Sequence, residues 1–354
     1  IKMKKEFREL IRYGKPSKEM FLHKVNFFNN NDEILSIGSN MNKLYAQQAE
    51  RLYCKNCAKK LGKVDFKKLY VEYSLCLHCG HLNGKHEDSD SFLSEIYKKE
   101  KGTDYAKTYN SKDSNAFISR TKDIYVPKAM FLKESFLNFG LHPEGLSFAD
   151  IGAGSGYFVS AMKNIGLKKI KGYEVSEQQL NLGNSMIGEE VLFHMDMDYS
   201  LDLIQEIEVD VVSMIGVLEH LKHPRDVLNA LSKNKYVKFF YISVPLFSIT
   251  VFFEMIFPKV MNRQLSGAHT HLYTEESLEY MANEFNLDRI ASWWFGTDMI
   301  DLHRSISVSL SNEKYETNII KLWQDKFSPM IDSLQLEFDN KHMSSEVHML
   351  FKIN

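Results

Sequence analysis

The stretch from 147 to 158, Ser-Phe-Ala-Asp-Ile-Gly-Ala-Gly-Ser-Gly-Tyr-Phe, constrains the fold of this 354-residue chain more than any other segment. It predicts a strand that runs directly into a glycine turn and then into a helix beginning near Tyr157. Gly152, Gly154 and Gly156 have no Cβ, so the backbone can bend sharply and a ligand can lie against it. The free N–H groups of the first helical turn point at the same place. The pattern therefore predicts a cofactor-binding turn in an α/β fold.

The spacing of the glycines indicates the kind of cofactor. A dinucleotide-binding turn has its third glycine five positions after the first, and that position is Tyr157 here. With Asp150 ahead of it, the turn reads D-x-G-x-G-x-G, which resembles motif I of the class I S-adenosylmethionine-dependent methyltransferases. The resemblance implies a Rossmann-like sheet of seven mostly parallel strands with helices on both faces. It also implies that S-adenosylmethionine binds at Asp150, Gly152, Gly154 and Gly156.

Two downstream segments carry further parts of this resemblance. Residues 168–176 predict a second strand that ends at Glu174, the acidic position with which the family binds the ribose hydroxyls. A carboxylate suits two adjacent hydroxyls because it can accept a hydrogen bond from each. Residues 191–198 predict a third strand. There the resemblance assigns Asp196 to the adenine amino group and Met197 to packing on the adenine ring.

The remaining strands of the predicted sheet follow in order. Residues 209–224 include Val-Leu-Glu-His and resemble the fourth strand and the following segment of the small-molecule methyltransferases. We predict further strands at 238–244, 288–295 and 347–353. Open α/β sheets bind ligands at the carboxyl ends of their strands. Matches at several such ends, in the right order, favour an enzyme over an unrelated α/β protein.

Composition and motifs divide the chain into parts. We expect a helical segment at 1–50, a zinc-binding module at 51–86, a polar connector at 87–126 and a methyltransferase domain at 127–354. Within that domain, the apolar residues of 246–268 predict a lid, and 297–342 predicts a helical insertion before the last strand.

The proposed zinc module contains every cysteine of the chain, at Cys54, Cys57, Cys76 and Cys79. Each C-x2-C pair can present two thiolates from one turn, and two such turns complete a closed tetrahedral zinc site. Disulfides are the competing interpretation, which a cytoplasmic protein disfavours. Three histidines crowd the second pair and could replace a cysteine or orient one: His78, His81 and His86. Because both pairs are intact, we expect the four cysteines to be the ligands.

Charge is distributed unevenly along the chain. Residues 1–120 contain 23 Lys and Arg against 15 Asp and Glu, whereas residues 121–354 contain 21 against 31. The basic first third is explained by a solvated surface without a partner, or by a field that favours an anionic acceptor such as a nucleotide-linked sugar.

Neither a membrane span nor a secretion signal is predicted. The longest apolar stretch, 237–257, is interrupted by charged and polar residues, whereas a bilayer needs about 20 mostly apolar residues. The basic start of the chain lacks a following apolar core. We therefore expect a cytoplasmic protein.

Histidines are the candidates for the chemical step. Methyl transfer from a sulfonium is an in-line displacement, so the enzyme must align donor and acceptor and remove a proton when the acceptor is a hydroxyl. His220 follows the fourth strand, and His269 and His271 lie between the predicted lid and the next helix. In the small-molecule methyltransferases that the chain resembles, both segments border the acceptor pocket. Each histidine is equally explained as a hydrogen-bonded structural residue.

An amino-terminal zinc module joined to a class I domain resembles two groups of enzymes. One comprises the sugar methyltransferases of deoxysugar and surface-glycan pathways, and the other the zinc-bearing rRNA guanine methyltransferases. RNA binding requires a strongly basic face, whereas the predicted catalytic domain is acidic. We therefore expect O-methylation of a small anionic, sugar-like acceptor, with rRNA as the alternative substrate. A non-enzymatic scaffold or sensor that binds S-adenosylmethionine is a further alternative, and the oligomeric state is left open.

Overall fold

The computed structural model describes residues 8–23, 30–94, 113–196, 200–265 and 269–354. Its strands are β1 (Leu10–Tyr13), β2 (Phe66–Lys68), β3 (Val71–Leu75), β4 (Leu82–Gly84), β5 (Phe148–Ile151), β6 (Ile170–Glu174), β7 (Leu192–His194), β8 (Val211–Ile215), β9 (Phe239–Pro245), β10 (His271–Leu272), β11 (Leu287–Phe295) and β12 (Glu346–Ile353).

The α-helices are α1 (Lys18–His23), α2 (Asn31–Tyr45), α3 (Asp90–Ser94), α4 (Ser114–Arg120), α5 (Val126–Asn138), α6 (Tyr157–Asn164), α7 (Glu177–Ile187), α8 (Ser200–Glu206), α9 (Pro224–Lys233), α10 (Ile249–Ile256), α11 (Glu275–Glu284), α12 (Asp298–Asn312), α13 (Thr317–Phe327) and α14 (Ile331–Asp339). A π-helical turn lies at Thr121–Tyr125, and 3-10 turns lie at Pro143–Gly145, Leu218–His220 and Ser328–Met330. No helix within these described ranges is long and apolar enough to cross a bilayer.

Eight of the described strands form one large sheet in the order β1-β11-β12-β9-β8-β5-β6-β7. Neighbours are parallel except around β12, which runs antiparallel to both β9 and β11. Alternate residues of the central strands face two apolar cores. One core contains residues of α8, α9 and α11, and the other contains residues of α5 and α6. This confirms the Rossmann-like α/β fold that the sequence predicts, with helices on both faces.

The strand count differs from the seven that the sequence predicts, because β1 adds an eighth. It lies in the segment 1–50, which the sequence predicts to be helical and which also supplies α1 and α2. The β1 strand pairs in parallel with β11 from Leu10 opposite Ala291 to Tyr13 opposite Trp294. This pairing satisfies backbone groups of β11 that would otherwise form a free sheet edge. A four-residue strand is too short to show a hydrophobic period, so the sequence pattern does not reveal it.

The strand order reverses at β5. The chain continues from β5 to β6 on one side and returns, after β7, to β8 on the other. The carboxyl ends of these parallel strands therefore meet at one edge of the sheet and leave a crevice between them, where open α/β sheets bind ligands. The glycine turn that follows β5 lies at this edge.

A second, antiparallel sheet joins the predicted zinc-binding module, residues 51–86, to the rest of the chain. We call this segment the cysteine module below. Its order is β10-β4-β3-β2, so three strands come from the module and β10 comes from the segment before α11. His271 pairs with Asn83 and Leu272 pairs with Leu82. The apolar core beneath contains residues of both regions, including Tyr73 of the module and Val251 of α10. Strand pairing and a shared core therefore hold the module in place.

Hydrogen bonds to two buried carboxylates fix the described part of the predicted lid. The Glu254 carboxylate of α10 accepts backbone hydrogen bonds from residues 263, 264 and 265. Asp298, which begins α12, accepts hydrogen bonds from the hydroxyls of Ser248 and Thr250. Residues 266–268 of this segment lie outside the described residues. The neighbouring segment 297–342, for which the sequence predicts a helical insertion, contains α12, α13 and α14.

Candidate functional site

The glycine turn after β5 has a backbone that other residues would strain. Gly152, Gly154 and Gly156 have φ of +72°, +54° and +74°. A Cβ on Gly152 would lie 2.7 Å from Cγ2 of Val217, and one on Gly156 would lie 2.8 Å from Cδ1 of Leu192. The turn thus needs glycine for its left-handed conformation and for the space around it. Helix α6 begins directly after it, so free N–H groups face the crevice.

Glu174 lies at the carboxyl end of β6 and braces this turn. Its Oε2 accepts a hydrogen bond from the Gly154 N–H at 2.8 Å, and its Oε1 accepts one from the Ser176 N–H at 2.9 Å. A carboxylate has about four lone-pair positions, so each oxygen retains one for a further donor. The side chain therefore has a bracing role in addition to the ribose contact that the resemblance implies.

The Asp150 side chain is buried beneath the glycine turn, against β8. It is 2% exposed, and its Oδ1 accepts a hydrogen bond from the Ser213 hydroxyl of β8 at 2.6 Å. Burial raises the pKa of this carboxyl to about 7; the Ser213 hydrogen bond opposes this shift, and the nearby Glu174 adds to it. In this structure Asp150 joins the ends of β5 and β8, a role that the motif does not indicate.

The other predicted cofactor contacts follow β7. Met195 donates its N–H to the Glu174 carbonyl at 3.0 Å, which brings the next residue, Asp196, to the same edge of the sheet as the glycine turn. The Asp196 side chain is exposed there. Met197 lies outside the described residues.

The 3-10 turn after β8 lies beside the segment that carries the other two candidate histidines. The rings of His220 and His269 are 5.1 Å apart. One ligand atom from each of Glu219, His220 and His269 lies within 4.8 Å of the others. Glu219 is 3% exposed, and within the described ranges its Oε2 has no hydrogen-bond partner. Burial and the nearby Glu346 raise the pKa of Glu219 to about 8. No role for Glu219 is predicted from the sequence, although Val-Leu-Glu-His contains this residue.

His271 lies deeper, in β10, and belongs to a chain of hydrogen bonds. Its Nδ1 is 2.8 Å from Nε2 of His81, whose Nδ1 is 3.3 Å from the Ser277 hydroxyl. That hydroxyl donates to the Thr274 carbonyl, so it offers His81 a lone pair. His81 then carries its proton on Nδ1, and His271 donates from its own Nδ1 to His81. This leaves a lone pair on Nε2 of His271, which is buried and has no partner among the described residues.

Lys55 ties both histidine segments to the cysteine module. It lies between Cys54 and Cys57, and its ammonium donates to the Leu221 carbonyl at 2.7 Å and to the Thr270 hydroxyl at 3.1 Å. Leu221 directly follows His220, and Thr270 directly precedes His271. The ammonium also pairs with the buried carboxylate of Asp88.

The four cysteines form one buried cluster, and their sulfurs lie within 4.8 Å of one another. Cys54 and Cys79 are separated by 3.7 Å, and Cys57 and Cys76 by 3.5 Å. A disulfide would need about 2.0 Å, whereas four thiolates at about 2.3 Å from a central zinc ion lie about 3.8 Å apart. The geometry therefore fits a closed tetrahedral metal site.

None of the three nearby histidines of the module joins this cluster. His81 is hydrogen-bonded to His271. The ring of His78 contacts Tyr280 edge-on, and the ring of His86 contacts Tyr45 edge-on. The four cysteines are therefore the candidate ligand set, and the sequence predicts the same four.

Comparison with known proteins identifies a family for part of the chain. Residues 126–292 match the family described as "Methyltransferase domain". The comparison with curated proteins finds no match. Similar solved structures include the magnesium protoporphyrin IX methyltransferase of Synechocystis with bound SAH. It shows 10% identity and a TM-score of 0.45, with 75% of this chain and 100% of that one covered.

Two other solved structures resemble the chain at a comparable level. The geranyl diphosphate C-methyltransferase of Streptomyces coelicolor, in complex with Mg2+, geranyl diphosphate and S-adenosyl-L-homocysteine, shows 10% identity and a TM-score of 0.42 over 69% of this chain and 84% of that one. A SAM-dependent methyltransferase of Archaeoglobus fulgidus shows 15% identity and a TM-score of 0.39 over 63% of this chain and 94% of that one.

The family match spans the glycine turn, Glu174, Asp196 and all three candidate histidines. It coincides with the Rossmann-like part of the sheet, whose strand order reverses at β5. Residues 126–292 therefore form an S-adenosylmethionine-dependent methyltransferase domain.

Proposed function

We propose that this enzyme transfers the methyl group of S-adenosylmethionine to a hydroxyl of a small anionic, sugar-like acceptor. The observation that carries the proposal is the hydrogen-bonded series from Ser277 through His81 to His271. It leaves a buried lone pair on Nε2 of His271, where a hydroxyl proton can be accepted. Burial keeps the pKa of His271 well below its usual value, so the imidazole is neutral, as a general base must be.

The proposed step is balanced as follows. The acceptor oxygen forms a bond to the methyl carbon while the bond from that carbon to sulfur breaks, and its electron pair stays on sulfur. The hydroxyl proton passes to Nε2 of His271. Glu174, Asp196 and the glycine turn hold the donor, and Met197 is proposed to pack on the adenine ring. The enzyme mainly supplies alignment and the removal of this proton.

One lysine, Lys15, supports an anionic acceptor. Lys15 follows β1 at the carboxyl edge of the sheet, and its buried ammonium has no hydrogen-bond partner in the described part of the chain. Burial and the nearby Lys128 lower the pKa of Lys15 to about 8. Lys128 itself pairs with Glu346 at 2.8 Å, opposite the end of β9. The Lys15 ammonium lies over the Phe295 ring, 5.4 Å from its centroid. A buried cation that makes no hydrogen bond favours a ligand that brings negative charge.

We also propose that the cysteine cluster binds one zinc ion and that this ion is structural. With four thiolate ligands the site is closed, so the ion would hold together the two cysteine turns and their flanking residues, here called knuckles, around Cys54 and Cys57 and around Cys76 and Cys79. It would leave no position for water or acceptor. The free cysteines are consistent with the reducing, cytoplasmic compartment that we propose for the enzyme.

The acceptor class is tested by incubating the enzyme with methyl-labelled S-adenosylmethionine and separate pools of nucleotide sugars, glycans and RNA. We expect label in a sugar hydroxyl. The turnover of the His271→Ala variant should fall by about 10²- to 10⁴-fold, while its affinity for S-adenosylmethionine stays nearly unchanged. His142→Ala, at an exposed histidine on the opposite edge of the sheet, is the control. Label only in RNA would reject the acceptor class, and label in no pool would favour a sensor.

A further inference from the structure

Besides the cysteines, the described residues contain one other group of side chains that could hold a metal ion: Glu219, His220 and His269. It joins a carboxylate and two imidazoles from two separate segments. The first segment follows β8 at the ligand-binding edge, and the second leads into β10, which packs beside the turn of the first. The cluster therefore lies in the region where the proposed acceptor would meet the methyl group.

Glu219 lacks the partner that a buried carboxylate needs. Its Oε2 is buried and accepts no hydrogen bond from any described residue. The closest approach of its Oε1 to His220 Nε2 is 3.9 Å, which is too long for a hydrogen bond. A buried carboxyl oxygen without a hydrogen-bond partner is costly, and a cation bound among these three side chains would supply the missing partner.

His269 has the orientation of a histidine that ligates a metal. Its Nδ1 lies 3.1 Å from the Gln264 carbonyl, which can only accept, so the ring proton is on Nδ1. This leaves the lone pair on Nε2. Histidines that bind metals usually donate their other ring N–H to a carbonyl or carboxylate, which fixes the tautomer and the ring plane.

The two segments are held together independently of any ion. Lys55 donates hydrogen bonds to the Leu221 carbonyl and to the Thr270 hydroxyl, one residue beyond His220 and one beyond His269. A site held in this way loses little conformational freedom when a ligand binds, so the fold favours binding at this point.

We propose that Glu219, His220 and His269 bind one divalent ion of the first transition series, and that this ion binds an oxygen of the methyl acceptor. Two imidazoles and one carboxylate suit such ions and leave coordination positions open. One carboxylate leaves a net charge of +1 on the loaded site, which complements an anionic acceptor. A coordinated hydroxyl also loses its proton more readily, which assists the base. The role toward the acceptor rests on the proposed function, whereas ion binding does not.

Manganese is the probe that separates this site from the cysteine cluster, because Mn2+ prefers nitrogen and oxygen ligands to thiolates. Protein that retains its cysteine-bound metal is treated with a mild chelator, desalted, and titrated with Mn2+ while the electron paramagnetic resonance signal of the free ion is followed. We expect one Mn2+ per chain. Glu219→Gln and His269→Ala should each weaken binding at least tenfold, while His142→Ala should bind like the wild type. Calorimetric titration with S-adenosylmethionine shows that each variant is folded.

Absence of Mn2+ binding by the wild type, or unchanged binding by both variants, overturns the site. The acceptor role is judged separately, by turnover with and without added Mn2+ on a labelled acceptor. We expect the Michaelis constant of the acceptor to rise severalfold in chelator. If Mn2+ binds but the acceptor kinetics do not change, the role toward the acceptor is wrong. If no acceptor is methylated but Mn2+ binds as predicted, the proposed function fails and the metal site stands.

Discussion

Asp150 and Glu174 are two carboxyl groups at adjacent strand ends, and their surroundings give them different tasks. Asp150 is buried against Ser213 and has a pKa raised to about 7, whereas Glu174 accepts two backbone hydrogen bonds. Burial with a single hydroxyl donor favours the protonated form of the Asp150 carboxyl. The pair therefore offers two tests at the scale of a single residue.

Replacing Asp150 by Asn should make the stability of the cofactor-free protein less dependent on pH. The folded protein binds the Asp150 proton more tightly than the unfolded chain, because the folded pKa is about 7 and the reference value is 3.8. The free energy of unfolding should thus fall as the pH rises from about 4 to about 7, by up to about 1.4 kcal/mol per pH unit. Denaturant unfolding at several pH values measures this slope.

The comparison with the wild type isolates Asp150, because Glu219 titrates in an overlapping range and is present in both proteins. Asp202→Asn, at an exposed position of α8, is the control and should keep the wild-type slope. If the free energy of unfolding had the same pH dependence in the wild type and in Asp150→Asn, the Asp150 carboxyl would have the same pKa in the folded and unfolded protein.

Replacing Glu174 by Ala should weaken S-adenosylmethionine binding about tenfold or more, since hydrogen bonds to a charged group contribute about 1.5 to 3 kcal/mol. The same change leaves the Gly154 N–H without its acceptor, so part of the loss comes from the turn itself. Calorimetry measures the affinity. Glu177→Ala, on the exposed first turn of α7, serves as the control. Wild-type affinity in the Glu174 variant would remove this residue from the cofactor site.

At the scale of elements, β10 connects the two sheets. It belongs by sequence to the catalytic domain, yet it pairs with β4 of the cysteine module. The hydrogen bonds of Lys55 reinforce this junction, and they reach the segments of His220 and His271 together. The module is therefore in a position to determine the shape of the acceptor side.

Lys55→Met should impair acceptor use more than cofactor binding. It removes the hydrogen bonds to Leu221 and Thr270, which together clamp the two histidine segments. It also removes one charge partner of the buried Asp88 and leaves Arg51, at 3.3 Å, as the remaining partner. Removing one partner of a buried ion pair typically costs about 3 to 5 kcal/mol of folding stability. We expect a lower melting temperature and a raised Michaelis constant for the acceptor, with the affinity for S-adenosylmethionine nearly unchanged.

Lys59→Met, at an exposed position close by in the same knuckle, is the matched control and should behave like the wild type. Equal weakening of cofactor and acceptor binding by Lys55→Met would point to general unfolding instead of a local clamp. Unaltered acceptor kinetics would show that the clamp has no part in positioning the histidines.

For the whole molecule, the cysteine module and the catalytic domain share a sheet and a core. Cys76→Ser should release the proposed zinc ion and expose residues 51–86 to protease, since thiolate ligation is coupled to folding. Because His81 lies in the same knuckle and orients His271, turnover should fall with the metal. The glycine turn lies in the other sheet, so S-adenosylmethionine should still bind.

Metal analysis of protein purified without chelator, limited proteolysis and calorimetry provide the three readouts. Ser74→Ala, which removes only a hydrogen bond to the Lys63 carbonyl, is a control within the module. Protein without zinc, or a zinc content that Cys76→Ser does not change, would reject the ion. Loss of S-adenosylmethionine binding together with the metal would show that the two regions unfold as one unit.

The sequence by itself determined the features that are encoded over short stretches. The glycine turn follows from the conformations that Gly152, Gly154 and Gly156 alone tolerate, and the cysteine cluster follows from the spacing of its pairs. The order of strands and helices is a local pattern too, because each element has its own hydrophobic period. These features could be predicted without knowing what lies next to them in space.

Only the tertiary structure decided which distant groups meet. His81 and His271 are 190 positions apart in the chain and hydrogen-bonded in the fold. A role for Glu219 is indicated only by its proximity to His269. A role for Lys55 is indicated only by its hydrogen bonds to the two histidine segments. The strand β1 exists because β11 offers unpaired backbone groups at its edge. Such contacts depend on backbone pairing and burial across the whole chain, which no local pattern of side chains records.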